Sequence, residues 1–273
     1  MPLIVIASLA LLLVVWWLSE PVRVAHRRKR LIQQPFPSAW REILRRNVPY
    51  VRALPADLQL RLKQRIQVFV AEKSFIGCGG LLVTDEIRVT VAAQACLLIV
   101  NLPNYTYPNA HQVLVYPDAF VVNRNYTDSI GILQNQSQVL SGESWSHGQV
   151  ILSWQDALEG AAIIDDGRNV VIHEFAHQLD QEKGYANGAP GLLGRDLYRS
   201  WSSVLGSEFA TLQTQVSSHQ SSLFSAYGAT NPAEFFAVVS EVFFEQPRRM
   251  AEEHPALYAE LGKFYRLNPL AWS

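Results

Sequence analysis

Two histidines four residues apart, with a glutamate beside the first, stand out in a chain that holds only seven histidines: His173, Glu174 and His177 in the run VVIHEFAHQLD. On an α-helix residues i and i+4 lie above one another on one face, so the two imidazoles can converge on one ion while Glu174 projects alongside. Two ligands do not fill a catalytic zinc site, which usually takes three protein ligands and keeps one position for water. A third His, Asp or Glu must therefore come from elsewhere. The continuation HEFAHQLDQEKGY carries no further histidine, which leaves a carboxylate on a later helix.

The foremost candidate is Glu234, in SAYGATNPAEFFAVVSEVFFEQP. Its neighbours Phe235, Phe236, Val238, Val239, Val242 and Phe243 predict a buried helix, and a buried carboxylate needs a strong partner. Two other readings stand beside it. Asn231 and Pro232 followed by Glu234 also form a helix start in which Glu234 completes a capping box. Glu241, seven residues on and on nearly the same face, is a rival ligand. Spacing alone does not separate them. Asp180, near the end of the histidine helix, either orients a ligand from behind or is a solvated helix-end residue. His26, His111, His147, His219 and His254 have no ligand spacing and are expected at the surface or in the core.

The elements that must position these groups can be read around them. QVLVYPDAFVV and GQVILSW are short β-branched runs bounded by Pro, Gly and Asn, and so read as strands directly before the histidine helix. QVILSW is expected to be an edge strand against which extended peptide could pair. Downstream the pattern predicts helices over Asp165 to Glu182, Asp196 to Gln215, Pro232 to Gln246 and Pro255 to Tyr265. Upstream, Leu58, Leu62, Ile66, Phe69 and Val70 share one face of a helix that has Pro55 in its first turn. In GCGGLLVTDEIRVTVAAQACLLIVNLP β-branched residues favour strand and the alanines favour helix; a helix after Thr84 is the expectation.

With 273 residues, 49% hydrophobic, the chain can bury a sizeable core. A net charge of −1 gives no field that would favour nucleic acid, so no direct nucleic-acid binding is expected. Cys78 and Cys96 lack metal-ribbon spacing and read as two buried, reduced thiols. From Leu3 to Leu18 the only polar side chain is Ser8. At about 1.5 Å per residue such a helix spans roughly 25 Å, close to the ~27–30 Å of a bilayer core. The positive charges lie after it, at Arg23, Arg27, Arg28, Lys29 and Arg30, unlike a signal peptide. The expectation is a single-pass anchor in the inner membrane with the remaining chain on the cytoplasmic side.

The segments GCGGLLVTDEIRVTVAAQACLLIVN, VLVYPDAFVV, SGESWSHGQVILSW, NVVIHEFAHQLD and AYGATNPAEFFAVVSEVFF resemble the zinc-dependent peptidases of the Mlc titration factor A family, whose catalytic core is similar to that of anthrax lethal factor. The resemblance implies that His173, His177 and Glu234 bind one Zn2+, that Glu174 is the general base, and that Tyr227 stands near the metal. It also implies aminopeptidase-like cleavage of short peptides and an interaction with the transcriptional repressor Mlc. The expected fold is α+β, a zincin-like metallopeptidase domain with a small mixed sheet and several helices, preceded by one N-terminal transmembrane helix. Its expected divisions are an anchor at 1–20, a basic juxtamembrane linker at 21–37 and a peptidase domain at 38–273. That domain has a helical part at about 38–105 and a catalytic part at about 106–273. The competing class is a regulator-binding protein that sequesters a repressor and keeps zinc mainly as a structural staple.

Overall fold

A computed structural model describes residues 2–103, 105–127, 133–140, 142–145, 148–191 and 195–272. The helices of the first part are α1 (Pro2–Leu18), α2 (Glu20–Gln33), α3 (Ser38–Asn47) and α4 (Ala56–Glu72), followed by strand β1 (Ser74–Gly77) and helix α5 (Asp85–Leu98). Strands β2 (Gln112–Tyr116), β3 (Phe120–Thr127), β4 (Leu133–Leu140), β5 (Gly142–Trp145) and β6 (Gln149–Ser153) come next. The chain closes with α6 (Trp154–Ala162), α7 (Val170–Asp180), α8 (Arg195–Ser217), α9 (Pro232–Glu245), α10 (Pro247–Glu253) and α11 (Pro255–Tyr265).

The sheet runs in the order β1-β2-β6-β5, with β1, β2 and β6 parallel and β5 antiparallel to β6, while β3 and β4 form a separate hairpin. It is the small mixed sheet that the sequence predicts. Val113 pairs with Val150 and Val115 with Leu152, and all four side chains are fully buried, which fixes the register through the core face. QVILSW is not an edge strand, however. β6 lies between β2 and β5, and the edge falls to β5, whose short polar sequence GESW gives little strand signal.

Helix α5 starts where Thr84 accepts a hydrogen bond from the Ile87 amide, and from Val89 to Leu98 every residue is buried. A helix apolar all round belongs inside, and α5 packs against α3, α4, α6 and α7 at the centre of the molecule. One hydrophobic core runs from Leu44 to Leu267, and β1 joins the sheet, so the parts before and after residue 105 share a single interior. Pro55 sits one position before α4 as its cap rather than within the first turn. Cys96 is buried and Cys78 half-buried, both as free thiols.

The N-terminus departs most from expectation. Among the described residues no single helix is long and apolar enough to cross a membrane; α1 has 17 residues, and the axis bends by 46° into α2. Pro21 lacks the amide that would continue the ladder, and the Ser19 hydroxyl and Arg23 both turn back to the Trp16 carbonyl, at 2.8 and 2.5 Å. Residues 21–37, the expected basic juxtamembrane linker, have regular structure over most of their length. They are helical to Gln33 and docked on α4, where Arg28 clamps Glu72 through Nε and Nη2 at 2.7 and 2.8 Å.

Candidate active site

Helix α7 is held by its own start and by its back face. Asn169 caps it, its side chain accepting from the Ile172 amide at 3.0 Å. This, with the turn at Gly167 (φ +77°), moves the start from the expected Asp165 to Val170. Phe175 is fully buried and meets Phe69 and Tyr107 edge-on at 5.5 and 4.8 Å between ring centroids. Burying such a ring stabilises the fold by roughly 1.5–3 kcal/mol. With Val171, Ile172, Ala176 and Leu179 also buried, the helix cannot rotate, and His173 and His177 are left on the face toward α9.

Helix α9 brings the carboxylate. Asn231 accepts from the amides of Ala233 and Glu234 at 2.9 and 3.0 Å, with Pro232 in the first turn. The Glu234 side chain does not close a capping box. Its Oε2 lies 3.0 Å from His173 Nε2 and 3.2 Å from His177 Nε2, and the three ligand atoms fall within 4.8 Å of one another. Glu241 stands on the opposite side of the same ring: its Oε1 is 2.7 Å from His173 Nδ1, while its Oε2 accepts from the Asn169 amide at 2.6 Å. The rival is thereby placed as a residue that orients an imidazole and leaves Nε2 free for a ligand role.

Burial pulls the His173 pKa down, yet the hydrogen bonds to Glu234 and Glu241 outweigh it and hold it well above the ordinary imidazole value. Burial likewise works to raise Glu234, and the two imidazoles more than reverse this, so its carboxyl lies well below the usual range. Both shifts express one demand, a positive charge between the rings and the carboxylate. A divalent cation meets that demand, and two imidazole nitrogens with one carboxylate oxygen are a donor set that zinc accepts. Glu174 supplies a second test of fit. It is buried, its Oε2 has no hydrogen-bond partner, and burial, moderated by His173 and His177, pushes its pKa to about 7. An orphaned carboxylate oxygen beside three convergent ligands is what a metal-held water would satisfy.

Tyr227, in a short turn just before α9, is half exposed, with its ring 5.9 Å from that of His173. Asp180 is neither solvated nor turned onto a ligand. It is buried, and its two oxygens accept from the Gly188 and Ala189 amides at 2.7 and 3.0 Å. Gly188 has φ +76°, and a Cβ there would sit 2.5 Å from the Pro232 carbonyl oxygen. Asp180 thus pins a loop against the start of α9, two residues before Glu234.

A cleft of about 420 Å³ is lined by His173, Glu174 and Tyr227 together with Asp156, Glu159, Asp166 and Arg168. Edge strand β5 runs beside α7. Among the described residues no other group of His, Cys, Asp and Glu has metal-ligand geometry. His254 pairs with Glu208 at 2.8 Å, and His147 lies outside the described residues. The sequence reading missed the roles of Glu241 and Asn169. The seven-residue spacing of Glu234 and Glu241 was the available signal, since it sets both on one face of α9.

Comparison with known proteins agrees with this geometry. The family model described as "Glucose-regulated metallo-peptidase M90" matches residues 23–266. An uncharacterised protein of Synechocystis sp. is 38% identical over 271 residues, 99% of this chain and 98% of that protein. Mlc titration factor A of Yersinia pestis is 34% identical over 235 residues, 85% of each chain, and that of Yersinia pseudotuberculosis has the same figures. The chain belongs to this family of glucose-regulated metallopeptidases.

Proposed function

We propose that the chain is a membrane-anchored zinc peptidase with aminopeptidase-like action, in which His173, His177 and Glu234 hold the metal. The observation that carries the reading is the convergence of two Nε2 atoms and one carboxylate oxygen beside a buried Glu174 whose Oε2 has no hydrogen-bond partner among the described residues. A zinc ion held by these residues would supply Lewis-acid polarisation of a scissile carbonyl and a bound water of pKa near ~7. Glu174 then accepts the proton of the attacking water and returns it to the leaving amine. Tyr227 donates its phenol hydrogen to the oxyanion, a contribution on the order of 2.7–4 kcal/mol where one such donor is removed elsewhere. Edge strand β5 offers backbone pairing to an extended peptide, and the acidic wall of Asp156, Glu159 and Asp166 favours a substrate with a free N-terminal ammonium.

The anchor belongs to the same proposal. The described side chains of α1 from Ser8 to Leu18 are exposed, so the protein itself gives them no apolar partner. Charge after α1 favours a single-pass arrangement in the inner membrane, with the catalytic domain in the cytoplasm. A second reading rests on the name of the Yersinia relatives: the chain binds an Mlc-like transcriptional repressor, and zinc is chiefly structural.

Glu174→Gln separates the two. Metal content measured by mass spectrometry should remain at one equivalent, while cleavage of a peptide library falls by at least a hundredfold, the lower range for loss of a general base. A Gln variant as fast as the wild type removes the peptidase reading. Undiminished capture of the repressor by both forms supports the second.

A further inference from the structure

Between α2 and α4 lies a groove of about 870 Å³ that the catalytic reading does not use. Val24, Ile32, Val68 and Val100 line it with apolar surface, and four cations reach it: Arg28, Lys29, Arg61 and Arg65. The one acid on its lining is Glu20, at the end nearest α1. Two of the cations have carboxylate partners, Arg28 with Glu72 and Arg61 with Asp57. Arg65 is different. Its guanidinium donates to the carbonyls of Tyr105 and Leu102, at 2.6 and 2.5 Å, which orders the group without neutralising it. Among the described residues neither Arg65 nor Lys29 has an ion pair, and burial lowers the Arg65 pKa, as expected of a half-buried cation short of an anion.

We propose that this groove binds the headgroup of an anionic phospholipid, with the acyl chains running past Val24 and Pro21 toward α1. The inference rests on the reading of α1 as a membrane anchor. Three observations select the lipid. The groove carries an excess of positive charge, which matches the phosphodiester of an anionic lipid. Its walls are apolar, as acyl chains require. And its lining reaches Glu20 and Pro21, directly beyond the last apolar residue of α1, where a bilayer around α1 would end. From Glu20 to Arg28 is roughly 12 Å along the helix at ~1.5 Å per residue. The 46° bend at the junction shortens that distance along the membrane normal, keeping the cations within headgroup depth. A lipid held there would fix how α2, and with it α4 and the catalytic core, stands on the membrane.

Native mass spectrometry of the full chain in detergent, with short-chain phosphatidylglycerol or phosphatidylcholine added, tests the groove directly. One phosphatidylglycerol should be retained per chain, on the order of tenfold more strongly than phosphatidylcholine. K29S, which removes a cation without an ion pair among the described residues, should lose roughly fivefold, and K29R should retain the preference. R30S/R41S removes two exposed charges outside the groove and should leave the preference intact. Equal retention of the two lipids, or an equal loss in R30S/R41S, overturns the proposal by reducing it to diffuse charge. Flotation of the wild type on neutral phosphatidylcholine vesicles reads the anchor separately, since it depends on α1 and not on lipid charge. Flotation without lipid selectivity sinks the groove alone, and selectivity without flotation sinks the anchor alone.

Discussion

The α7–α9 pair is packed within the protein, whereas in the α1–α2 pair only α2 docks on the folded domain, through Arg28 and Glu72 of α4, and the described side chains of α1 are exposed. In α7–α9 both nitrogens of His173 are engaged, and each capping amide named above has an acceptor. In α1 the described side chains from Ser8 to Leu18 are exposed, and the helix contacts α2. The first pair is over-determined by its neighbours, so single changes there should be large. With the described α1 side chains exposed, and under the proposed reading of α1 as an anchor, the same kind of change there should leave the folded domain untouched.

The largest effect is expected at the convergence point. Glu234→Ala removes one of the three proposed ligands and should lower peptide cleavage on the order of a thousandfold or more, with metal lost on dialysis. Retained stoichiometric metal in that variant would show that the third ligand is another group. Glu241→Gln is a finer cut. Glu241 accepts two hydrogen bonds, one on each oxygen, and a Gln amide can accept on only one side. Either the Asn169 amide or His173 Nδ1 loses its acceptor, and metal affinity in a chelator competition should fall by 10–100-fold. Unchanged affinity would mean that ring orientation is set elsewhere.

The two pairs were also unequally legible in the sequence. The i, i+4 histidines and the apolar runs of α5 and α9 are local patterns, and local periodicity survives folding, so helix positions were readable to within a few residues. The roles of Glu234 and Glu241 were not, because spacing puts both on one face of α9. Only the crossing of α9 over α7 decides that Glu234 meets Nε2 and Glu241 meets Nδ1. Asp180 was misread for a related reason, since its partners are amides of a loop whose path the sequence does not give. At the N-terminus the basic run gives no sequence sign of its docking on α4. Arg28 and Arg65 are interior to a helix-helix junction, and a run of arginines carries no sign of which one finds a carboxylate across 44 residues.

A smaller effect tests the ground beneath α7. Glu245 is buried, shares Asn169 with the α7 cap, and has one oxygen without a partner, while Asp166 and Glu241 lie close enough to oppose its charge. Burial foremost pushes its pKa to about 9, from an ordinary value near 4.5. A group with a raised folded pKa contributes stability that is complete below its unfolded value and is lost as pH climbs to the folded one. Thermal stability of the wild type should therefore decline from about pH 5 to pH 9 through this group. Glu245→Gln keeps the bond from Asn169 and should flatten that slope, as calorimetry at matched metal saturation can read. Parallel slopes in the two proteins would place the proton elsewhere.

The smallest expected effect lies in α1 and gives the comparison its other half. Leu12 and Val14 are 64% and 50% exposed, so Leu12→Ser with Val14→Ser removes no packing from the folded domain. The unfolding free energy of the full chain in detergent should stay within about 0.5 kcal/mol of the wild type, the range for surface changes away from special features. The same pair should nonetheless shift the protein toward the soluble fraction after cell lysis, because each buried methylene transferred to the bilayer contributes about 0.8 kcal/mol and the two substitutions remove several. A loss of stability as large as that of a core deletion would mean that α1 packs on the protein after all. The 46° bend would then direct it onto the catalytic domain rather than into a membrane.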